Sequence, residues 1–180
     1  MRILLENTLA LAVDYQERLV PAMSGREELI QRSVMLLEGL EILGVETLIS
    51  QQYPKGLGHT VEEIVKAAPS AKYFDKMEFS CCDNEEIFKE LEQSGRKYVI
   101  VCGMESHVCV LQTVVDLAEK GYTPILVADC IASRKESDKQ IALRRAAAEG
   151  AVISTAEAVL FELLRRAGGD TFKAISKLVK

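Results

Sequence analysis

Apolar residues along this chain fall into two alternating rhythms. Short, largely apolar runs of strand length occur at residues 8–13, 45–50, 97–102, 123–128 and 151–154, with a further extended piece predicted at 72–74. Between them lie longer segments whose apolar positions recur three and four residues apart. In residues 27–43, Ile30, Val34, Leu37 and Leu40 mark one helical face, and Gly44 closes it. Helices are also predicted over 84–93 (stopped near Gly95), 108–119 (ended by Gly121) and 136–149 (closed by Gly150). A brief helix is expected near 60–66 and two more after the last strand, while Tyr-Pro-Lys-Gly-Leu-Gly at 53–58 reads as a turn.

The pattern is a strand–helix unit repeated about six times. Continuous apolar strands joined by helical crossovers imply a mainly parallel six-stranded sheet covered on both faces, a three-layer α/β/α sandwich of Rossmann-like type. One domain, residues 1–180, accounts for the length, and no repeat, low-complexity tract or linker divides it. Ligands of open parallel sheets sit beyond the carboxyl ends of the strands. Asp14 after the first strand, the segment after Cys102, and Asp129 after the fifth strand are the chemistry-bearing candidates there.

Composition narrows the partners. A net charge of −5 argues against nucleic acid, whose binders displace counterions with a basic surface. The pairs Arg144-Arg145 and Arg165-Arg166 are offset by acids and read as solvated helix faces. Glu6 and Asp14 interrupt the apolar N-terminal stretch, so no export signal is expected, and no run approaches the roughly 18 apolar residues of a membrane span. The expectation is a soluble, cytoplasmic protein without a membrane partner. Five cysteines, at 81, 82, 102, 109 and 130, fit free thiols in a reducing compartment. With no Cys-x-x-Cys and only His59 and His107 to add ligands, no metal is expected. No glycine-rich phosphate-binding loop follows any strand, which removes the nucleotide cofactors, and no other cofactor is implied.

Residues 102–110, Cys-Gly-Met-Glu-Ser-His-Val-Cys-Val, join a buried strand to an amphipathic helix. Cys109 then falls in the first helical turn, where unsatisfied amides and the positive end of the dipole favour a thiolate. Free cysteine is also a common core residue, so position alone leaves its role open. His107 suggests a Cys–His dyad, but residues two apart at a helix start diverge in direction. His107 therefore reads as a pocket or interface residue, His59 as loop surface, and Cys81-Cys82 as either pocket lining or packing, with packing favoured. A lysine at position 76, taken alone, reads as solvated loop.

Gly-Met-Glu-Ser-His-Val-Cys-Val at 103–110 resembles the nucleophile loop of the isochorismatase-like cysteine hydrolases, a Gly-x-x-[Ser/Thr]-x-x-Cys-Val run after the fourth strand. Val13-Asp14 is similar to their catalytic aspartate segment, and Lys76-Met77-Glu78-Phe79-Ser80 to their Lys-x-x-[Phe/Tyr]-Ser segment. The 53–58 loop resembles that of the YcaC-like and isochorismatase-domain-containing subgroup. Ala128-Asp129-x-x-x-Ser133-Arg134 and Arg145-x-x-x-x-Gly150-Ala151 extend the likeness to about residues 8–165.

The resemblance implies a triad of Asp14, Lys76 and Cys109. Asp14 would act as general base and Cys109 as nucleophile toward a small-molecule carbonyl, with Lys76 supporting Asp14. It further implies an oxyanion hole from the backbone amides of Glu105 and Cys109, a non-proline cis peptide at Met104–Glu105, and substrate contacts from Gln16, Gln51, Phe79, Met104 and His107. Ser133 and Arg134 would face either a substrate carboxylate or a neighbouring subunit, since homo-oligomers are common in the family. The nicotinamidase branch carries Asp and His metal ligands after the second strand. Here that stretch is Ser50-Gln51-Gln52-Tyr53-Pro54, so neither metal nor nicotinamide is expected. Family members that hydrolyse the vinyl ether of isochorismate can lack the cysteine, so its presence favours C–N hydrolysis. A non-catalytic scaffold with the same fold is the rival of a different class.

Overall fold

Six strands, all parallel, form one sheet in the order β3-β2-β1-β4-β5-β6 in the computed structural model, which describes residues 1–180. The strands are β1 (Thr8–Val13), β2 (Thr47–Gln52), β3 (Lys72–Lys76), β4 (Tyr98–Met104), β5 (Thr123–Ala132) and β6 (Val152–Ser154). Alternation along a strand sends successive side chains to opposite faces. In β1, Ala10 and Ala12 enter one core layer, and Leu9, Leu11 and Val13 the other. The first layer is covered by α1 (Arg26–Ile42), α3 (Glu62–Ala67), α7 (Ala156–Leu164) and α8 (Gly169–Leu178). The second is covered by α4 (Glu85–Ser94), α5 (Leu111–Glu119) and α6 (Glu136–Ala148). The three-layer α/β/α architecture expected from the apolar rhythm is the one observed.

Several element bounds differ from the sequence reading, three of them with structural consequence. The 53–58 turn contains one helical turn, α2 (Pro54–Leu57). The run at 72–74 continues to Lys76, because β3 pairs with β2 as far as Gln52↔Lys76. β5 extends beyond residue 128 to Ala132. Its register against β4 jumps from Val101↔Leu126 to Gly103↔Ile131, so an irregular stretch is absorbed inside the strand. The buried Tyr15 hydroxyl donates to the Cys130 carbonyl at 2.7 Å, pinning that stretch, and lies 2.6 Å from Ser33 Oγ.

Chain direction reverses across the sheet between β1 and β4. From β1 the chain winds through β2 to β3, then crosses back to β4 and on to β5 and β6. The loops leaving β1 and β4 therefore part in opposite directions and open a crevice at their carboxyl ends. Asp14 follows β1, and the cysteine-bearing turn follows β4.

Candidate active site

Asp14 leaves β1 in a left-handed conformation (φ 55°), which Asp tolerates better than most residues. The turn drops its carboxylate into the crevice, fully buried. Ser50, from the end of β2, donates to Asp14 Oδ1 at 2.7 Å. Lys76 Nζ donates to Oδ2 at 2.8 Å. The same ammonium reaches Gln52 Oε1 at 2.7 Å and the carbonyls of Glu78 and Phe79 at 3.2 and 3.3 Å. Lys76 is only 3% exposed, so the solvated-loop reading of this residue is corrected. Burial by itself would lower its pKa. The negative charge of Asp14 leads the opposing effects, followed by Cys81 and Cys109, and the net shift is upward.

Cys109 lies in a π-helical turn, Ser106–Val110, that runs directly into α5. The Val110 amide reaches back five residues to the Glu105 carbonyl at 3.2 Å, the hydrogen bond that defines this wider turn. The helix thus starts two residues before the predicted position, and Cys109 still falls near its N-terminus. The Cys109 thiol is 7% exposed. Burial pushes its pKa up to about 12, the Asp14 charge and a hydrogen bond to Asp14 add to that shift, and Lys76 opposes it. The resting sulfur is therefore a protonated thiol next to a carboxylate, and the thiolate expected from helix position is not standing ready. The helix dipole acts here against both desolvation and a neighbouring negative charge, and those two prevail.

The strand β4 approaches β1 closely at this point. Gly103 has φ +121°, and a Cβ there would lie 2.0 Å from the Val13 carbonyl oxygen. The next peptide, Met104–Glu105, is cis. The Glu105 amide donates no hydrogen bond within the chain. Beneath Cys109, its carbonyl accepts from Thr113 Oγ1 at 2.7 Å, and that oxygen accepts from the Cys81 amide at 3.0 Å.

Residues 8–158 match the isochorismatase domain. The chain belongs to the isochorismatase family. A Phytophthora sojae relative, secreted isochorismatase effector Isc1, is 41% identical over 149 residues, 81% of this chain and 71% of that protein. Isochorismatase domain-containing protein 1 of Salmo salar is 36% identical over 173 residues, 96% of this chain and 61% of its own length. Among solved structures, MAR1 ribonuclease from Caenorhabditis elegans is similar, with a TM-score of 0.94 and 34% identity, covering 99% of this chain and 92% of that one.

Within this isochorismatase domain, the crevice brings together Asp14, Lys76 and Cys109. The five residues marked for substrate contact separate into different situations. Gln16 is fully buried, donates to the carbonyls of Gln52 and Gly58, and accepts from the Gln52 amide. Gln51 is likewise spent, donating to Asp75 and accepting from the Thr60 amide and hydroxyl. These two glutamines fasten the loop after β2 and offer no free polar group, and Met104 packs wholly in the core. Phe79 is 55% exposed at the crevice edge. His107 turns toward α6, with Nδ1 2.9 Å from Ser133 Oγ and Nε2 3.9 Å from Asp138, away from a dyad with Cys109. Arg134 pairs with Glu105 at 3.0 Å within the chain. Sequence reasoning missed Ser50 and Gln52. The polar run Ser50-Gln51-Gln52 closing the apolar start of β2 was the available signal for both.

Proposed function

We propose that this isochorismatase-family hydrolase cleaves a C–N bond of a small amide through a Cys109 thioester. One observation carries the reading: a buried carboxylate, held by an ammonium and a hydroxyl, lies against a cysteine thiol at the crossover of a parallel sheet. Because the thiol is protonated at rest, sulfur attacks the carbonyl carbon as Asp14 takes its proton, and the two events are coupled. The oxyanion that forms is received by the amides of Glu105 and Cys109, such donors each contributing about 3 kcal/mol. Asp14 returns the proton to the departing nitrogen, the C–N bond breaks, and the amine leaves. Asp14 next takes a proton from water, whose oxygen attacks the thioester. The carboxylic acid departs and the thiol is restored. Lys76 keeps the carboxylate oriented and stays charged throughout.

Substituting Cys109→Ala tests this reading. The variant should keep its circular dichroism spectrum, lose turnover by about a thousandfold or more, and show no acyl adduct by intact-protein mass spectrometry. Full turnover without the thiol would overturn the mechanism in favour of Asp14-dependent ether hydrolysis. An inactive wild-type protein whose thiol never acylates would favour a scaffold. RNA cleavage, the activity in the name of the C. elegans relative, finds no support in the net charge of −5. We also infer a homo-oligomer, since Ile141 of α6 and Ile153 of edge strand β6 leave apolar surface exposed. Five unpaired cysteines support a reducing, cytoplasmic setting, and no helix is long and apolar enough to cross a membrane.

A further inference from the structure

The crevice holds a second sulfur that the hydrolytic cycle leaves unused. We propose that Cys81 and Cys109 form a peroxide-sensitive thiol pair, joined on oxidation by a disulfide that withdraws the nucleophile. The pair uses the same sulfur and base as the hydrolase but none of its amide chemistry, so the two readings stand or fall separately.

Thr113, on α5, ties the two cysteines together. Its hydroxyl donates to the Cys109 carbonyl at 2.7 Å and accepts from the Cys81 amide at 3.0 Å. One oxygen therefore touches both main chains, which holds them near the roughly 7 Å limit of Cα separation that a disulfide can span. The sulfurs share neighbours as well. The Cys81 thiol is within hydrogen-bonding reach of the Ser50 and Thr113 hydroxyls, and the Cys109 thiol of Asp14. Ser50 in turn donates to Asp14 at 2.7 Å, so the two sulfurs flank one carboxylate. Both act on the Lys76 ammonium, and both lie in the same core layer. The other three thiols are placed elsewhere. Cys102 and Cys130 belong to the opposite core layer, across the sheet. Cys82 directs its sulfur to the Thr113 carbonyl at 4.0 Å, and the charged side chains acting on it are Asp116 and Lys120 rather than Asp14 and Lys76.

An oxidant entering the crevice meets Cys109 first, because Cys81 is completely buried. With a hydroperoxide, the Cys109 sulfur attacks one peroxide oxygen as Asp14 takes the thiol proton. The O–O bond breaks, Asp14 gives the proton to the departing oxygen, and water or an alcohol leaves a sulfenic acid on Cys109. The Cys81 sulfur then attacks the Cys109 sulfur. Its proton passes through the Ser50 hydroxyl to Asp14 and on to the departing hydroxide, so the S–O bond breaks, water leaves and the disulfide forms. Two thiols have lost two electrons and the peroxide has gained them. Burial pushes the Cys81 thiol up to about 11, the least raised of the five, because the Lys76 charge and the two hydroxyls favour its thiolate. A nucleophile held in this bond cannot attack a carbonyl, and a small dithiol reverses the bond by exchange.

Hydrogen peroxide is the probe. The full chain is oxidised, free thiols are capped with iodoacetamide, and peptides are mapped without reduction. Cys109 should resist alkylation and be found linked to the peptide that carries Cys81, with fragmentation assigning the bond to Cys81 rather than Cys82. Dithiothreitol should release it, and Cys82→Ser should form the same link. In Cys81→Ser, Cys109 should instead be captured by dimedone as sulfenic acid or advance to sulfinic acid, which dithiothreitol does not reverse. A wild-type Cys109 that stays reduced, that oxidises while Cys81 remains free, or that joins any other thiol overturns the pair.

Discussion

Asp14 raises the pKa of both its neighbours, which keeps the ammonium charged and the thiol neutral. Its negative charge raises Lys76 against the pull of burial, and it raises Cys109 in the same sense as burial. Replacing Asp14 with Asn removes that charge while keeping nearly the same volume. The Cys109 pKa should then fall from about 12, because desolvation and the weaker effect of Cys81 are left to oppose ionisation while the Lys76 charge favours it. Turnover should be lost at the same time, since no base remains. Alkylation of the Cys109-containing peptide by iodoacetamide, followed from pH 6 to 12, reads the shift. A midpoint unmoved by the substitution would show that Asp14 does not control the sulfur. Burial of Lys76 itself could not be read from the sequence. It depends on β2–β3 pairing and on a carboxylate 62 positions away, whereas the local pattern Asp-Lys-Met-Glu is that of a surface loop.

At the scale of elements, β1 and β4 matter most because they meet where the chemistry sits. Gly103 lets the two backbones touch, and Gly103→Ala would drive a methyl into the Val13 carbonyl while forcing a left-handed conformation on a residue that resists it. The variant should lose about 2–5 kcal/mol of stability in urea denaturation and, because Asp14 follows Val13, lose turnover as well. Strand and helix identities were legible from apolar spacing, and the Asn84 cap behaves as its residue type suggests, accepting from the Ile87 amide at 3.1 Å. The irregular stretch of β5 and the π turn before α5 were not legible. In the first, Tyr15 pins Cys130 from 115 positions away, and in the second the Val110 amide bonds to the Glu105 carbonyl, and no local propensity encodes either.

Across the whole molecule, all five thiols lie buried and are raised: Cys81 to about 11, Cys82, Cys102 and Cys109 to about 12, and Cys130 well above its ordinary value. Desolvation leads in every case. Unfolded thiols ionise near their ordinary value of 9.0 while the folded ones keep their protons. Above that pH the unfolded chain binds fewer protons than the native one, so stability falls as pH rises. Each thiol adds about 1.4 kcal/mol of loss per pH unit until its own folded pKa is reached. Melting temperature should therefore decline steadily between pH 9 and 11, and a flat profile by differential scanning calorimetry would contradict the burial of these groups.

The strand order also distributes the three crevice side chains unequally. Asp14 and Cys109 follow β1 and β4, paired side by side at the centre of the sheet, while the Lys76 ammonium comes from β3, an edge strand. A border strand bonded along one side only is the easiest part of a sheet to peel. The group that holds the Asp14 carboxylate is thus carried by the least supported strand, so opening of that margin would part Lys76 from Asp14 before the central strands separate.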